Sequence, residues 1–274
     1  MSDQTLSQAP LGREVSYPER YDPALLFPID RAPNRATLQQ PGRWYGADIW
    51  NAYEVSWLNP RGLPRAALAR FIVPADSPHL IESKSFKLYL NSFNETRYES
   101  AEEVAAIMQA DLSRVAGGEV DVWLDDNLAQ YSATCSPLAG ICLDGLDVAI
   151  DQYQPNAALL QPAVGHTVVT ETLVSNLLKS NCPVTGQPDW GSVQVRYTGP
   201  RIDHVSLLKY IVSFRRHTEF HEHCVERMYC DLWQAVKPES LFVMARYTRR
   251  GGLDINPWRS SHPVKVDDDR TPRQ

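Results

Sequence analysis

Between Ser180 and Gly191 the chain reads Ser-Asn-Cys-Pro-Val-Thr-Gly-Gln-Pro-Asp-Trp-Gly, a segment rich in turn residues that carries a thiol, Cys182, and a carboxylate, Asp189. Loops presented by a rigid scaffold hold reactive groups more often than helices do. A thiolate can add to an electrophilic carbon such as that of a nitrile, and a carboxylic acid held nearby can give the nitrogen its proton. The same residues permit a plainer reading. A lone cysteine is usually a small apolar core residue, and an Asp between Pro and Trp commonly bonds backbone N–H groups in a turn. The local sequence leaves both readings open.

Composition narrows what such groups could act on. The 274 residues are 43% hydrophobic and 22% charged, with a formal net charge of −6, so a core can form and no global positive field exists for nucleic acid backbones. An anionic ligand must be met by local cations. No apolar run approaches bilayer length and the first residues lack an apolar signal segment, so a cytoplasmic protein without a membrane partner is expected. The five cysteines are scattered without the short paired spacing of a zinc site, so no metal is expected.

The reactive segment must be positioned by regular elements. Residues 1–43, rich in Pro, Arg, Asn and Gln, read as an extended arm with turns near Pro23, Pro28 and Pro33. A periodic stretch at 49–58, a strand over 66–73, helices over 80–91 and 101–116, and a strand over 119–124 follow, with Gly117 and Gly118 ending the second helix. The second half repeats the order: a strand over 193–197, helices over 205–215 and 220–236, and a strand over 241–247. An offset of 121 residues aligns Ile81, Ser85, Tyr89, Ser92 and Phe93 with Ile202, Ser206, Tyr210, Ser213 and Phe214. Offsets of 124 and 120 pair Ser56, Gly62 and Pro64 with Ser180, Gly186 and Pro188, and Asp111-Leu112 with Asp231-Leu232. Matches in one order point to an internal duplication. The 124 offset sets Leu58 opposite Cys182 and Arg65 opposite Asp189. The expected architecture is α+β: units at 44–128 and 168–260, each an antiparallel sheet with helices on one face, a connecting segment at 129–167 in which 146–150 could add a strand, and a tail at 261–274.

The segment 82–89, Glu-Ser-Lys-Ser-Phe-Lys-Leu-Tyr, resembles the signature of the NADPH-dependent 7-cyano-7-deazaguanine reductases, the QueF family. The flanking Leu90-Asn91-Ser92-Phe93-Asn94, the Cys182 segment, Phe220-His221-Glu222, and the run from Tyr247 through Arg249-Arg250-Gly251-Gly252 to Asp254 are similar to family motifs in family order, over roughly 45–260. The resemblance implies the longer, bimodular members, built from two tandem tunnelling-fold (T-fold) units. It implies reduction of the nitrile of 7-cyano-7-deazaguanine to an aminomethyl group in queuosine biosynthesis, with Cys182 forming a thioimide and Asp189 donating the proton. By the same carry-over Ile81, Glu82, Ser83, His221 and Glu222 hold the deazaguanine, while Ser83, Lys84, Arg250 and Gly251 hold NADPH.

Two NADPH per substrate and a homodimer are also implied. No Rossmann fingerprint occurs, so the cofactor assignment comes from the resemblance alone. Read without it, Glu222, Glu226 and Arg227 form exposed helix pairs with His221 as a cap, and Arg249-Arg250 is a solvated edge. Cys224, two residues after Glu222, is a candidate for a reversible disulfide with Cys182 that would shield the nucleophile. The rivals are a zinc-dependent GTP cyclohydrolase of the same fold and a purine- or pterin-binding module without chemistry.

Overall fold

The computed structural model describes residues 17–42, 44–132, 134–165 and 167–274; residues 1–16 of the expected arm lie outside the described residues. The described residues form two compact units. Unit 1 takes in 17–34, 47–132 and Arg249–Ile255, and unit 2 takes in 35–46, Thr134–Thr248 and Asn256–Gln274. Each has its own apolar core, one around Trp50, Phe71, Phe86 and Met108 and the other around Val195, Tyr210, Val225 and Met228.

In unit 1 the strands β2 (Tyr45–Leu58), β3 (Pro64–Pro74) and β5 (Asp121–Asp125) lie in the order β5-β3-β2, all antiparallel. A separate antiparallel pair joins β1 (Pro28–Asp30) to β4 (His79–Ile81), and a single helical turn, α1 (Ala32–Arg35), follows β1. Over its described residues the expected arm is ordered by packing: Tyr21 Oη donates to Asp111 at 2.5 Å and Asp22 N to Ser92 Oγ at 3.2 Å. The helix expected over 80–91 is likewise divided. Pairing with the arm draws residues 80 and 81 into β4, and the helix α2 (Ser83–Asn91) begins only after Glu82, which caps it. The next helix, α3 (Ala101–Ala116), buries Val104, Met108, Leu112 and Val115, the face that helical spacing predicts, behind an N-cap at Ser100.

Unit 2 contains β6 (Ile141–Cys142), β7 (Val168–Asn181), β8 (Pro188–Pro200), α4 (His204–Ser213), α5 (His221–Val236), β9 (Ser240–Tyr247) and β10 (Leu253–Ser260), whose first three residues belong to unit 1. The strand order here is β10-β9-β8-β7-β6. The sheet is not wholly antiparallel as expected, because β6 runs parallel to β7. No strand forms at 146–150. Asp144 accepts from the Ser175 hydroxyl at 2.6 Å and from Asn176 N, which ties the preceding residues 141–143 to the β7 edge instead.

The duplication recurs bond for bond. Tyr89 Oη donates to Asp111 at 2.9 Å, and Tyr210 Oη donates to Asp231 at 2.6 Å. Ser85 and Ser206 return their hydroxyls to the carbonyls of the capping residues Glu82 and Asp203. Both long hairpins carry a register shift, between Ala52 and Val55 in one and between Ser175 and Leu178 in the other. Two expected alignments are corrected: Trp57 pairs with Arg65 as Ser180 does with Asp189, so Trp57 rather than Ser56 is the counterpart of Ser180. Asn59 N donates to Leu63 O as Cys182 N does to Gln187 O, so Asn59, not Leu58, stands where Cys182 does. The turn in unit 2 is one residue longer, which shifts the numbering offset across it; Arg65 and Asp189 remain equivalent.

Two polar features brace the core of unit 2. Glu226, fully buried on α5, accepts from Arg259 Nη2 at 2.7 Å and from Arg35 Nη2 at 2.6 Å, and both guanidinium groups lie over the Trp44 ring. His217 follows the short turn Phe214–Arg216; its carbonyl accepts from Asn181 N at 2.8 Å, and burial followed by the nearby Arg227 pushes its imidazole down to about 4. Removing one partner of a buried ion pair leaves the other charge uncompensated, at a cost of about 3–5 kcal/mol. Glu226→Ala is accordingly expected to lower the unfolding free energy by about 3–5 kcal/mol, measured by chemical unfolding. Between pH 6.5 and about 4 the unfolded chain binds a proton at residue 217 that the native protein does not. Stability therefore falls on acidification through that window, by at most about 1.4 kcal/mol per pH unit. His217→Gln, which keeps the backbone carbonyl, is expected to flatten the difference between unfolding at pH 7 and pH 5.

Candidate functional site

Pairing in the β7/β8 hairpin sets Ser180 opposite Asp189 and Asn181 opposite Pro188. Cys182 N donates to Gln187 O at 2.9 Å, which continues the same register by one pair. Side chains alternate between faces along a strand, so Ser180, Cys182 and Asp189 share one face, and burial agrees: Ser180 is enclosed, Cys182 and Asp189 are each 7% exposed, and Pro188 and Trp190 are exposed. Cys182 and Asp189 are diagonal neighbours across the hairpin, a relation with about 7–8 Å between Cα atoms, within which two side chains can converge on one small group. The expected loop is thus a turn of residues 182–187, and Asp189 belongs to a strand.

α5 brings its first turn to the same hairpin. His221 Nε2 lies 3.5 Å from Asp189 Oδ2, too far for a strong hydrogen bond, and the imidazole packs on the Tyr247 ring with centroids 3.9 Å apart. Glu222, in the first helical turn, is buried rather than exposed as the surface-pair reading would have it. A carboxylate there is favoured by the positive end of the helix dipole. Behind Asp189, the Ser180 hydroxyl, the Tyr247 hydroxyl and the Cys224 thiol are close enough to perturb one another, although neither hydroxyl has a partner in hydrogen-bond geometry. Burial raises the Cys224 thiol well above the usual range. Cys182 and Cys224 are both free thiols. Lys179 Nζ, one residue before Ser180, holds Asn181 Oδ1 at 2.6 Å and Arg215 O at 2.8 Å, which braces the end of β7.

The remaining candidates lie in unit 1. Ile81 pairs with Pro28 and is buried, as is Glu82. The Glu82 carboxylate accepts from Lys84 N at 2.9 Å and Ser85 N at 2.7 Å, and burial, the largest influence, raises its pKa against those bonds. A carboxylate has further lone pairs, so this capping leaves acceptor capacity for a ligand. Ser83 and Lys84 open α2, and Lys87 is one turn on, on the same helical face. Gly251 and Gly252 both have left-handed φ, of 58° and 77°. A Cβ on Gly251 would sit 3.2 Å from the Lys87 side chain, and one on Gly252 would lie 2.6 Å from Glu54. A turn without side chains beside Lys87 and Arg250 suits a phosphate-bearing cofactor, since the backbone can be approached closely and cations are at hand. Ser83, Lys84, Arg250 and Gly251 therefore fit such a group.

Ser180, Lys179 and Tyr247 escaped the reading of residue types. Ser180 and Tyr247 stood inside quoted motifs without a role, and the contacts that matter at Ser180 and Tyr247 are made to residues distant in sequence. Among the described residues no group of three or more His, Cys, Asp or Glu side chains is arranged to hold a metal ion, the ligand set a zinc-dependent cyclohydrolase would need. No helix among the described residues is long and apolar enough to cross a membrane.

Comparison with known proteins places this chain in a family. A family model described as nitrile reductase, 7-cyano-7-deazaguanine-reductase N-term matches residues 17–124, and one described as QueF-like protein matches residues 188–265. The NADPH-dependent 7-cyano-7-deazaguanine reductase of Bordetella avium is 59% identical over 93% of this chain and 94% of its own. The proteins of the same name from Bordetella pertussis and Chromohalobacter salexigens are 56% and 55% identical, over 98% and 94% of this chain and 100% and 94% of theirs. With both halves of the chain matched and its relatives aligned over nearly their whole length, the chain belongs to the 7-cyano-7-deazaguanine reductase, or QueF, family.

Proposed function

We propose that this chain reduces the nitrile of 7-cyano-7-deazaguanine to the aminomethyl group with NADPH, through a thioimide on Cys182, as a step of queuosine biosynthesis. The observation that carries the reading is the hairpin that turns Cys182 and Asp189 toward one buried face. In the first step S–H adds across the C≡N bond. Sulfur bonds to carbon while nitrogen takes a proton from Asp189, which recovers one from the thiol as it ionises. The cofactor, when bound, would supply a hydride to that carbon in each of two reductions, so two NADPH are consumed per nitrile, together with two protons from solvent, one to the nitrogen and one to restore the Cys182 thiol. Between them Cys182 leaves as thiolate, and enclosure of the site keeps the resulting imine from water.

Glu222, acceptor-only and desolvated, suits the amino and ring N–H donors of the base, and His221 lies between that carboxylate's helix turn and Asp189. Ile81, Glu82 and Ser83 are assigned to the same ligand, and Ser83, Lys84, Arg250 and Gly251 to the cofactor. We read the two units as tandem T-fold units, supported by the repeated hairpin-helix-helix order, and the assembly as a cytoplasmic homodimer, on the strength of the family resemblance.

Mass spectrometry of the protein with the nitrile and no cofactor is expected to show an adduct on Cys182 that Cys182→Ala lacks. Its absence from the unaltered protein would remove the nucleophile assignment. Asp189→Asn is expected to slow adduct formation by about 10²–10⁴-fold, the usual contribution of a positioned acid. Lys84→Ala and Arg250→Ala should raise the KM for NADPH while leaving cofactor-free adduct formation intact, as steady-state and single-turnover assays would separate. Equal loss in both assays would place these cations elsewhere in the chemistry.

A further inference from the structure

The segment 261–274 returns across unit 2 to the neighbours of Asp189, and residues 266–274 lie beyond the QueF-like match. It is tied down along its length. Arg246 on β9 is ion-paired with Asp268 and donates Nη2 to Asp267 O at 2.6 Å, and Arg270 exchanges backbone bonds with Thr134 and Ser136. Gln274, only 9% exposed, donates Nε2 to Asn256 Oδ1 at 2.7 Å and to Tyr247 O at 3.1 Å, while its Oε1 accepts from Thr271 N. Arg273 donates Nη1 to Asn176 O at 2.6 Å, and its guanidinium lies 5.8 Å from the centre of the Trp190 ring. Arg215 lies 5.4 Å from the same ring.

Both endpoints adjoin the acid. Trp190 follows Asp189 directly, its side chain on the opposite face of β8, and its carbonyl accepts from Thr248 N at 2.8 Å. Tyr247, whose carbonyl Gln274 holds, packs its ring on His221, and His221 faces Asp189. We propose that Arg273 and Gln274 are positioning residues for Asp189, acting as a clasp that fixes Trp190 on one side of the acid and Tyr247 with His221 on the other. This rests on the assignment of Asp189 as proton donor. The clasp touches no reacting atom; it limits the drift of the strand segment that carries one. Displacing a catalytic group by about 1 Å can lower a rate on the order of 10²-fold, so a partial loosening should be visible in the first chemical step.

The test is single-turnover adduct formation without cofactor, followed by mass spectrometry from pH 5.5 to 9, in the unaltered protein, Arg273→Ala, Arg273→Lys and Gln274→Glu. The last is isosteric and turns a donor into an acceptor facing two oxygens. Arg273→Ala and Gln274→Glu are expected to slow adduct formation about tenfold and to shift its pH profile, with binding of the unreactive aminomethyl product unchanged and most of the rate restored by lysine at 273. Rates and profiles within twofold of the unaltered protein would overturn the clasp. So would a loss of rate that lysine fails to restore and that tracks equal losses in product binding and thermal stability, because that pattern marks a merely structural tail. Absence of an adduct from the unaltered protein would overturn the assignment of Cys182 and the clasp with it.

Discussion

Strict alternation of side chains along one hairpin governs the chemistry available to this protein. Because β7 and β8 pair Ser180 with Asp189, the thiol two residues beyond Ser180 and the acid must face the same way, and the sheet determines that this is the covered side. A slip of one residue would turn sulfur or carboxylate out to solvent. Much else in unit 2 serves to hold that register: the Asn181 backbone clamped by His217, Lys179 bridging to Arg215, and Gly191 packed closely against the Arg246 carbonyl and the Tyr247 ring.

The two units share a scaffold and differ in the chemical groups it carries. The Tyr-to-Asp bond, the serine return bonds to the capping residue and the hairpin register shift occur in both, so they belong to the fold itself. What differs is placed at the ends of elements. Unit 1 has cations at the opening of α2 and a side-chain-free turn at residues 251 and 252, whereas unit 2 has a thiol at a hairpin turn and a buried carboxylate at the start of α5.

Legibility in the sequence followed the same line. α3, α5 and β9 were readable to within a residue, since each buries a regular stripe or run against one side. β7 was missed because its register shift between Ser175 and Leu178 breaks the period of two, and polar residues occupy both faces of its first half. β10 was missed for the opposite reason. Asp254, Asn256 and Arg259 are buried among apolar neighbours, so no alternation survives, and Pro257 reads as a breaker. Cys182 and Asp189 could be named from their chemistry, but their shared face depends on a strand pairing that no local pattern displays. Tyr247 and Ser180 matter through contacts with residues of another strand and of α5 that are distant in sequence, and composition carries no trace of those.

The extra residue in the second hairpin turn has a further consequence. In unit 1 the side chain of Asn59 is itself part of the turn, accepting from the amides of Arg61 and Leu63. In unit 2 the longer loop closes through main-chain bonds from Cys182 and to it, and asks nothing of the atoms beyond its Cβ. Lengthening a loop by one position thereby released a side chain from architectural duty, and a site of that kind can acquire reactivity without the fold noticing the exchange.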